Sequence, residues 1–239
     1  METSLQENLA AIRKRIEQAA KRAGRVASEI KLVAVSKTHP ASVLREAISA
    51  GITVFGENKV QEAESKIDEI GRDATEWHLI GHLQSNKVRK AVQLFDVIHS
   101  VDSLELATRL ERICEEENRD ALSVFAQVDL AGEETKSGVR PSDLPELVSY
   151  LQTCKHLTLN GLMILPPFYD DPEATRPFFR RLREIRDIIL PVGELSMGMS
   201  HDFEVAIEEG ATVIRVGTAI FGQRKDLATE GTEVTENAK

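Results

Sequence analysis

Lys31-Leu-Val-Ala-Val-Ser-Lys37, followed by Thr38-His39-Pro40, is a short apolar, β-branched run that ends on a charge and a breaker. Such a run reads as a buried strand, and Pro40 stops it from continuing. Lysine is disfavoured in strands and costly to bury as an ammonium, so Lys37 at the carboxyl end of a core strand needs a reason. Two readings are open. Its stem packs at the strand end with the ammonium in water, or its amine is held in a pocket as a nucleophile towards an aldehyde.

Outward from this strand the pattern alternates. Short β-branched runs recur at 32–35, 52–55, 77–80, 97–101, 124–130, 159–165, 194–196 and 213–216. Helical spacing separates them at 43–50, 59–70, 104–116, 143–153, 177–189 and 201–209, with 86–93 the weakest. Strand–helix alternation predicts parallel strands joined by right-handed crossovers. Eight strands favour an α/β chain closed as a single (β/α)8 TIM barrel over a doubly wound open sheet. Ahead of the barrel, Leu5, Leu9, Ile12, Ile16 and Ala19 are spaced for an extra N-terminal helix. The expected organisation is that helix within 1–30 packing on the barrel, a barrel over 31–222, and a polar tail over 223–239 that is part of no domain.

The 239 residues carry a formal charge of −9, which argues against a general nucleic-acid binder. No secretory signal is visible and no apolar run is long enough to span a bilayer, so a cytoplasmic protein without a membrane role is expected. Cys114 and Cys154 are too few for a disulfide framework and read as reduced thiols.

In barrels of this kind functional groups project from the carboxyl ends of strands, and phosphate commonly sits after the seventh and eighth. Ser196-Met-Gly-Met-Ser200 follows strand seven, and Arg215-Val-Gly217-Thr218-Ala-Ile-Phe-Gly222 follows strand eight. Glycine lets backbone approach an oxyanion, and hydroxyls and exposed N–H groups donate to it. Arg215 follows core residues, so its guanidinium points into the barrel mouth, either paired with a carboxylate such as Glu57 or facing a cofactor ring nitrogen. Lysine, arginine and a phosphate cradle at one mouth suggest pyridoxal phosphate (PLP). An arginine opposite the ring nitrogen makes a poorer electron sink than a carboxylate, favouring racemase-like chemistry or simple cofactor holding over transamination.

Val33-Ala-Val-Ser-Lys37, Phe55-Gly-Glu-Asn58-Lys-Val-Gln-Glu62, Trp77-His-Leu-Ile-Gly-His-Leu-Gln84-Ser-Asn-Lys87 and the two segments after strands seven and eight resemble, in this order, the pyridoxal phosphate homeostasis proteins. Those proteins are similar to the barrel domain of bacterial alanine racemase. The resemblance implies that Lys37 carries the Schiff base and that Arg215 meets the pyridine nitrogen. It further implies that Ser200, Gly217 and Thr218 hold the phosphate, with Ser196 and Asn58 lining the pocket. It implies a cofactor-binding protein for intracellular PLP homeostasis, by buffering or delivery, rather than an enzyme. Alanine racemase takes its second base, a tyrosine, from a second, β-rich domain of a partner subunit, a domain outside the resemblance; a monomer is therefore expected, and since neither Tyr150 nor Tyr169 matches that position, no substantial turnover.

Alternatives stay open at this point: a PLP-dependent racemase-like enzyme, a Schiff-base aldolase, or a PLP-responsive regulator with transient protein partners. Lys136, in a Gly-flanked loop at the same barrel face, reads as a surface lysine or as a second PLP-reactive amine. His78 and His82 are four apart but flank a strand end and Gly81, so a metal site is not expected; His78 packs inside and His82 lines the mouth.

Overall fold

The computed structural model describes residues 4–132 and 137–222. Lys136 and the expected tail over 223–239 therefore lie outside the described residues. Eight parallel strands close in sequence order: β1 Lys31–Val35, β2 Val54–Glu57, β3 Glu76–Leu79, β4 Val97–Val101, β5 Leu122–Gln127, β6 Leu157–Met163, β7 Glu194–Met199 and β8 Val213–Val216. Pairing of β1 with β8, Lys31 to Val213 through Ala34 to Val216, joins the first strand to the last and rules out the open sheet.

Period-2 alternation sends one set of side chains inward. Val33, Val54, Val97, Phe125, Met163 and Val213 form that inner cluster, so the barrel is a packed core and not a pore. The opposite faces of the strands pack under the helices: α2 Ala41–Ser49, α3 Val60–Ile70, α4 Val88–Leu94, α5 Leu104–Glu116, α6 Leu144–Thr153, α7 Arg176–Ile189 and α8 Phe203–Glu208.

The helix after β8, α9 Thr218–Phe221, is a single turn. The leading helix α1 Leu5–Arg22 packs against α8, α9 and α2 and fills the ring position that α9 is too short to cover. It starts on a reciprocal cap, Glu7 N–H to Ser4 Oγ and Ser4 N–H to Glu7 Oε2. Its docking is polar as well as apolar. Asn8 donates to the Ile220 carbonyl at 3.0 Å, Arg15 pairs with Glu204 at 2.8 Å, and the Arg15 guanidinium lies 4.5 Å over the Phe203 ring.

The departures from the expected elements are informative. The run 159–165 is shifted to Leu157–Met163 because Leu162-Met-Ile stays apolar past the last ladder pair, Gln127 to Met163. The weak helix at 86–93 is a 3-10 turn, Ser85–Lys87, that runs into α4. Strand seven was expected to stop at 196 but reaches Met199, so most of the expected loop is strand. Gly198, at φ +93°, breaks the register between Ser196 and Met199, and this irregularity hides the strand from a composition-based reading.

Candidate functional site

The carboxyl ends of β7, β8 and β1 bring six of the seven expected residues, all but Asn58, to one mouth. Lys37 sits in the turn two residues past β1. Its side chain is exposed and makes no hydrogen bond or ion pair among the described residues, so the amine is available. The turn itself is held tightly. Lys66 of α3, only 6 % exposed along its side chain, donates to the Ser36 carbonyl at 2.7 Å, to Glu57 Oε1 at 2.6 Å and to Glu62 Oε1 at 2.7 Å. Ser36 Oγ donates to Glu57 at 2.6 Å, and Glu62 accepts the Thr38 N–H. Both residues flanking Lys37 are thus tied to one buried cluster, and Thr38 is kept at φ +68°.

Arg215 lies on β8 opposite Val33 and is 2 % exposed. Its Nη1 donates to Ser196 Oγ and its Nη2 to the Ile164 carbonyl at 2.8 Å. Glu57, the sequence-level candidate for its partner, is instead engaged by Lys66. No carboxylate forms an ion pair with Arg215 among the described residues. Burial pulls the guanidinium down to about 10, with only the field of Asp202 opposing it. Ser196 is fully buried and is held between Arg215 and His99.

After β8, the N–H groups of Gly217 and Ala219 converge on Ser200 Oγ, at 3.1 and 3.4 Å. Thr218 between them is exposed. A Cβ at 217 would stand 3.1 Å from the Val35 carbonyl and 3.2 Å from Val35 Cβ, so glycine lets β8 and β1 approach closely here. The His39 and Phe221 rings, 4.8 Å apart, tie the Lys37 turn to α9. Asn58 stands apart on the β2 side. It lines a cavity of about 610 Å³ with Lys59, Gly81, His82 and Gln84, a set that includes neither Lys37 nor Arg215.

Two groups of residues near the site are not singled out by sequence patterns. Lys66 carries a weak signal, its i,i+4 spacing from Glu62. His99 is more telling in hindsight: a histidine in the core run Val97–Val101 must find buried partners, and it does so inside the barrel. His78 is buried at 1 % exposure and His82 is exposed beside Ser137 and Asp102. Neither cysteine is activated; burial pushes the Cys114 thiol up to about 12 and Cys154 up to about 11.

The mouth therefore offers an exposed amine and a buried guanidinium, neither with an ion-pair partner among the described residues, and convergent backbone N–H groups. That set suits a ligand with an electrophilic carbon, an acceptor atom and an anionic arm. The family model for the alanine racemase N-terminal domain matches residues 8–225, nearly the whole of this barrel. An alanine racemase from Corynebacterium glutamicum superposes with TM-score 0.63 at 19 % identity, over 93 % of this chain and 63 % of its own, a likeness of fold.

Much nearer in sequence are two pyridoxal phosphate homeostasis proteins. That of Aquifex aeolicus is 45 % identical, covering 92 % of this chain and 98 % of the relative, and that of Pseudomonas aeruginosa is 45 % identical, covering 93 % and 96 %. PipY of Synechococcus elongatus, solved with PLP bound, matches with TM-score 0.79 and 41 % identity over 92 % of this chain and all of its own. The chain belongs to the pyridoxal phosphate homeostasis protein family.

Proposed function

We propose that this protein binds pyridoxal 5'-phosphate through Lys37 and serves the cell's supply of that cofactor, holding it and passing it on without substantial turnover. The observation that carries the reading is the meeting on adjacent strands of an amine and a buried guanidinium, neither with an ion-pair partner among the described residues, and N–H groups aimed at one point. The PLP-bound PipY structure, at 41 % identity, supports the choice of ligand.

Bound PLP supplies an aldehyde carbon and an electron-withdrawing ring. In this reading Lys37 would be the residue that holds the group at that carbon, from a turn whose direction the Lys66 cluster fixes. Arg215 would donate a hydrogen bond to the ring nitrogen without giving up a proton, which would favour holding over use of the ring as a strong electron sink. Ser200, Gly217 and Thr218 hold the phosphate; the N–H groups now sharing Ser200 Oγ are the donors an anion would accept from. Ser196 holds Arg215 in place, and Asn58 forms the opposite rim. Racemisation requires a second base across the substrate. Tyr150 lies on α6, partly buried against the outer core, and the Tyr169 ring stacks on Phe178 at 6.2 Å, which supports holding over turnover. Hand-over to PLP-dependent apoenzymes, residence in the cytoplasm and a monomeric state belong to the same proposal.

The test is titration of the purified protein with PLP, followed by borohydride reduction and peptide mass analysis. A single reduced adduct on Lys37, lost in Lys37→Ala, is expected, with no interconversion of D- and L-amino acids beyond that of free PLP. An adduct elsewhere, or stereochemical turnover, overturns the reading.

A further inference from the structure

A file of polar side chains runs through the barrel core from its amino-terminal end to Arg215. Lys31 Nζ reaches Glu76 Oε1 at 3.1 Å, and Glu76 Oε1 meets His78 Nε2 at 2.8 Å. His78 Nδ1 lies 2.8 Å from His99 Nε2, and His99 Nδ1 lies 2.8 Å from Ser196 Oγ, which accepts from Arg215. His78, His99 and Ser196 are each at most 1 % exposed, and His99 stacks on Phe125 at 4.5 Å. At the far end, Lys31 and Glu76 line a cavity of about 600 Å³ under α1. A buried file of this length, within a core otherwise built of valine, phenylalanine and methionine, costs stability unless every member is satisfied.

The proton positions in the file follow from its two ends. The N–H donated by His78 holds the Glu76 carboxyl down at about 2, so it is an anion that only accepts. Burial pushes both imidazoles below the ordinary histidine range, so both are neutral at pH 7, with one N–H each. His78 must therefore give its single N–H from Nε2 to Glu76, which leaves Nδ1 as an acceptor. His99 must then donate from Nε2, which leaves its Nδ1 to accept the Ser196 hydroxyl proton. Ser196, its O–H engaged in donating to His99, presents a lone pair to Arg215. Every bond thus points from the guanidinium towards the carboxylate, and reversing one member sets two donors or two lone pairs face to face.

We propose that Glu76 is a positioning residue of the cofactor site, acting through His78, His99 and Ser196 to fix Arg215 as a hydrogen-bond donor at the mouth. The device compensates a buried cation with a distant anion through three aligned dipoles, and so avoids a carboxylate beside Arg215 that would compete for its N–H groups. Asp202 acts from the other side: its carboxylate accepts the Met199 N–H at 2.7 Å and contributes only its field to Arg215. The inference rests on PLP being the ligand of this mouth, but its first readout does not need the ligand.

That readout is the imidazole nitrogen NMR spectrum of the unloaded wild-type protein, in which His78 and His99 are both expected as neutral Nε2–H tautomers. Glu76→Leu removes the terminal acceptor and should mix the tautomers, shift the absorption of the bound cofactor and raise the PLP dissociation constant about tenfold, the worth of one charge-assisted hydrogen bond. Glu76→Gln, whose amide oxygen still accepts from His78, should restore the tautomers and most of the affinity. An Nδ1–H tautomer at either histidine of the wild type overturns the proposal, as does a Glu76→Leu protein with wild-type tautomers, spectrum and affinity. Should Glu76→Leu not fold, Ser196→Ala against Ser196→Thr asks the same of the last link, with loss of affinity expected only for the alanine. A wild type with the expected tautomers that binds no PLP instead sinks the ligand assignment and this use of the file with it, and the two readouts tell the cases apart.

Discussion

Lys66→Met is the perturbation with the most to say about how the Lys37 turn is held. The ammonium donates three hydrogen bonds at 2.6–2.7 Å, and one partner, Glu57, is fully buried with its Oε2 already lacking a partner. Removing the cation leaves a buried carboxylate uncompensated, a class of change worth about 3–5 kcal/mol. The carboxyl can escape by taking a proton. From the ordinary value of 4.5 that costs about 3.4 kcal/mol at pH 7, which caps the electrostatic part. Adding about 1 kcal/mol for the lost bond to the Ser36 carbonyl gives a destabilisation of about 4 kcal/mol at pH 7. The sign of the pH dependence follows. Burial already raises the Glu57 carboxyl, and losing Lys66 raises it further. A group with a raised folded-state value favours folding as pH falls towards that value. At pH 5 the protonation cost drops to about 0.7 kcal/mol, so the deficit relative to wild type should shrink to about 1.5–2 kcal/mol. Urea unfolding of both proteins at the two pH values measures this. A deficit below 1 kcal/mol at pH 7, or one that grows on acidification, would refute the argument. A further consequence is slower PLP capture by the folded variant, because the Ser36 carbonyl loses its donor and the two carboxylates that hold the turn lose their shared cation.

Gly198→Ala should destabilise by at least about 2–3 kcal/mol, since φ is +93° and the added Cβ would sit 2.6 Å from Ala206 Cβ and 2.9 Å from Phe203 Cα; thermal unfolding checks it. Arg215→Met should leave Ser196 and the Ile164 carbonyl without their donor, lower PLP retention and alter the spectrum of the bound cofactor, and an absorption band identical to wild type would remove its ring-facing role. Thr218→Ala should weaken PLP binding by about 1 kcal/mol, roughly fivefold, if its hydroxyl bonds the phosphate; unchanged affinity in equilibrium dialysis would leave the backbone N–H groups as the phosphate ligands.

The placement of Lys37 and Arg215 at strand ends was legible because a charged residue at the end of an apolar run is conspicuous, and the candidate phosphate segments were chosen from the strand order alone. The partner of Arg215 was not legible. Glu57 and Arg215 are both polar residues at strand ends, but Arg215 faces the interior with Val213, whereas Glu57 faces α3 and meets Lys66. One residue of strand register separates those faces, and periodicity alone does not fix it.

The order of short apolar runs and amphipathic helices by itself determined eight alternating strand–helix units of an α/β fold and favoured their closure, because each strand buries both faces and each helix buries one. It also determined which charges are anomalous, because local polarity is a property of the chain. The closing contact of β1 with β8, the clamp of Lys66 around the Lys37 turn, and the file from Glu76 to Arg215 were decided only in three dimensions. These depend on side chains from elements up to about a hundred or more residues apart meeting within hydrogen-bonding distance, as His99 and Ser196 do. That convergence is set by barrel closure and strand register, which no local stretch of sequence contains.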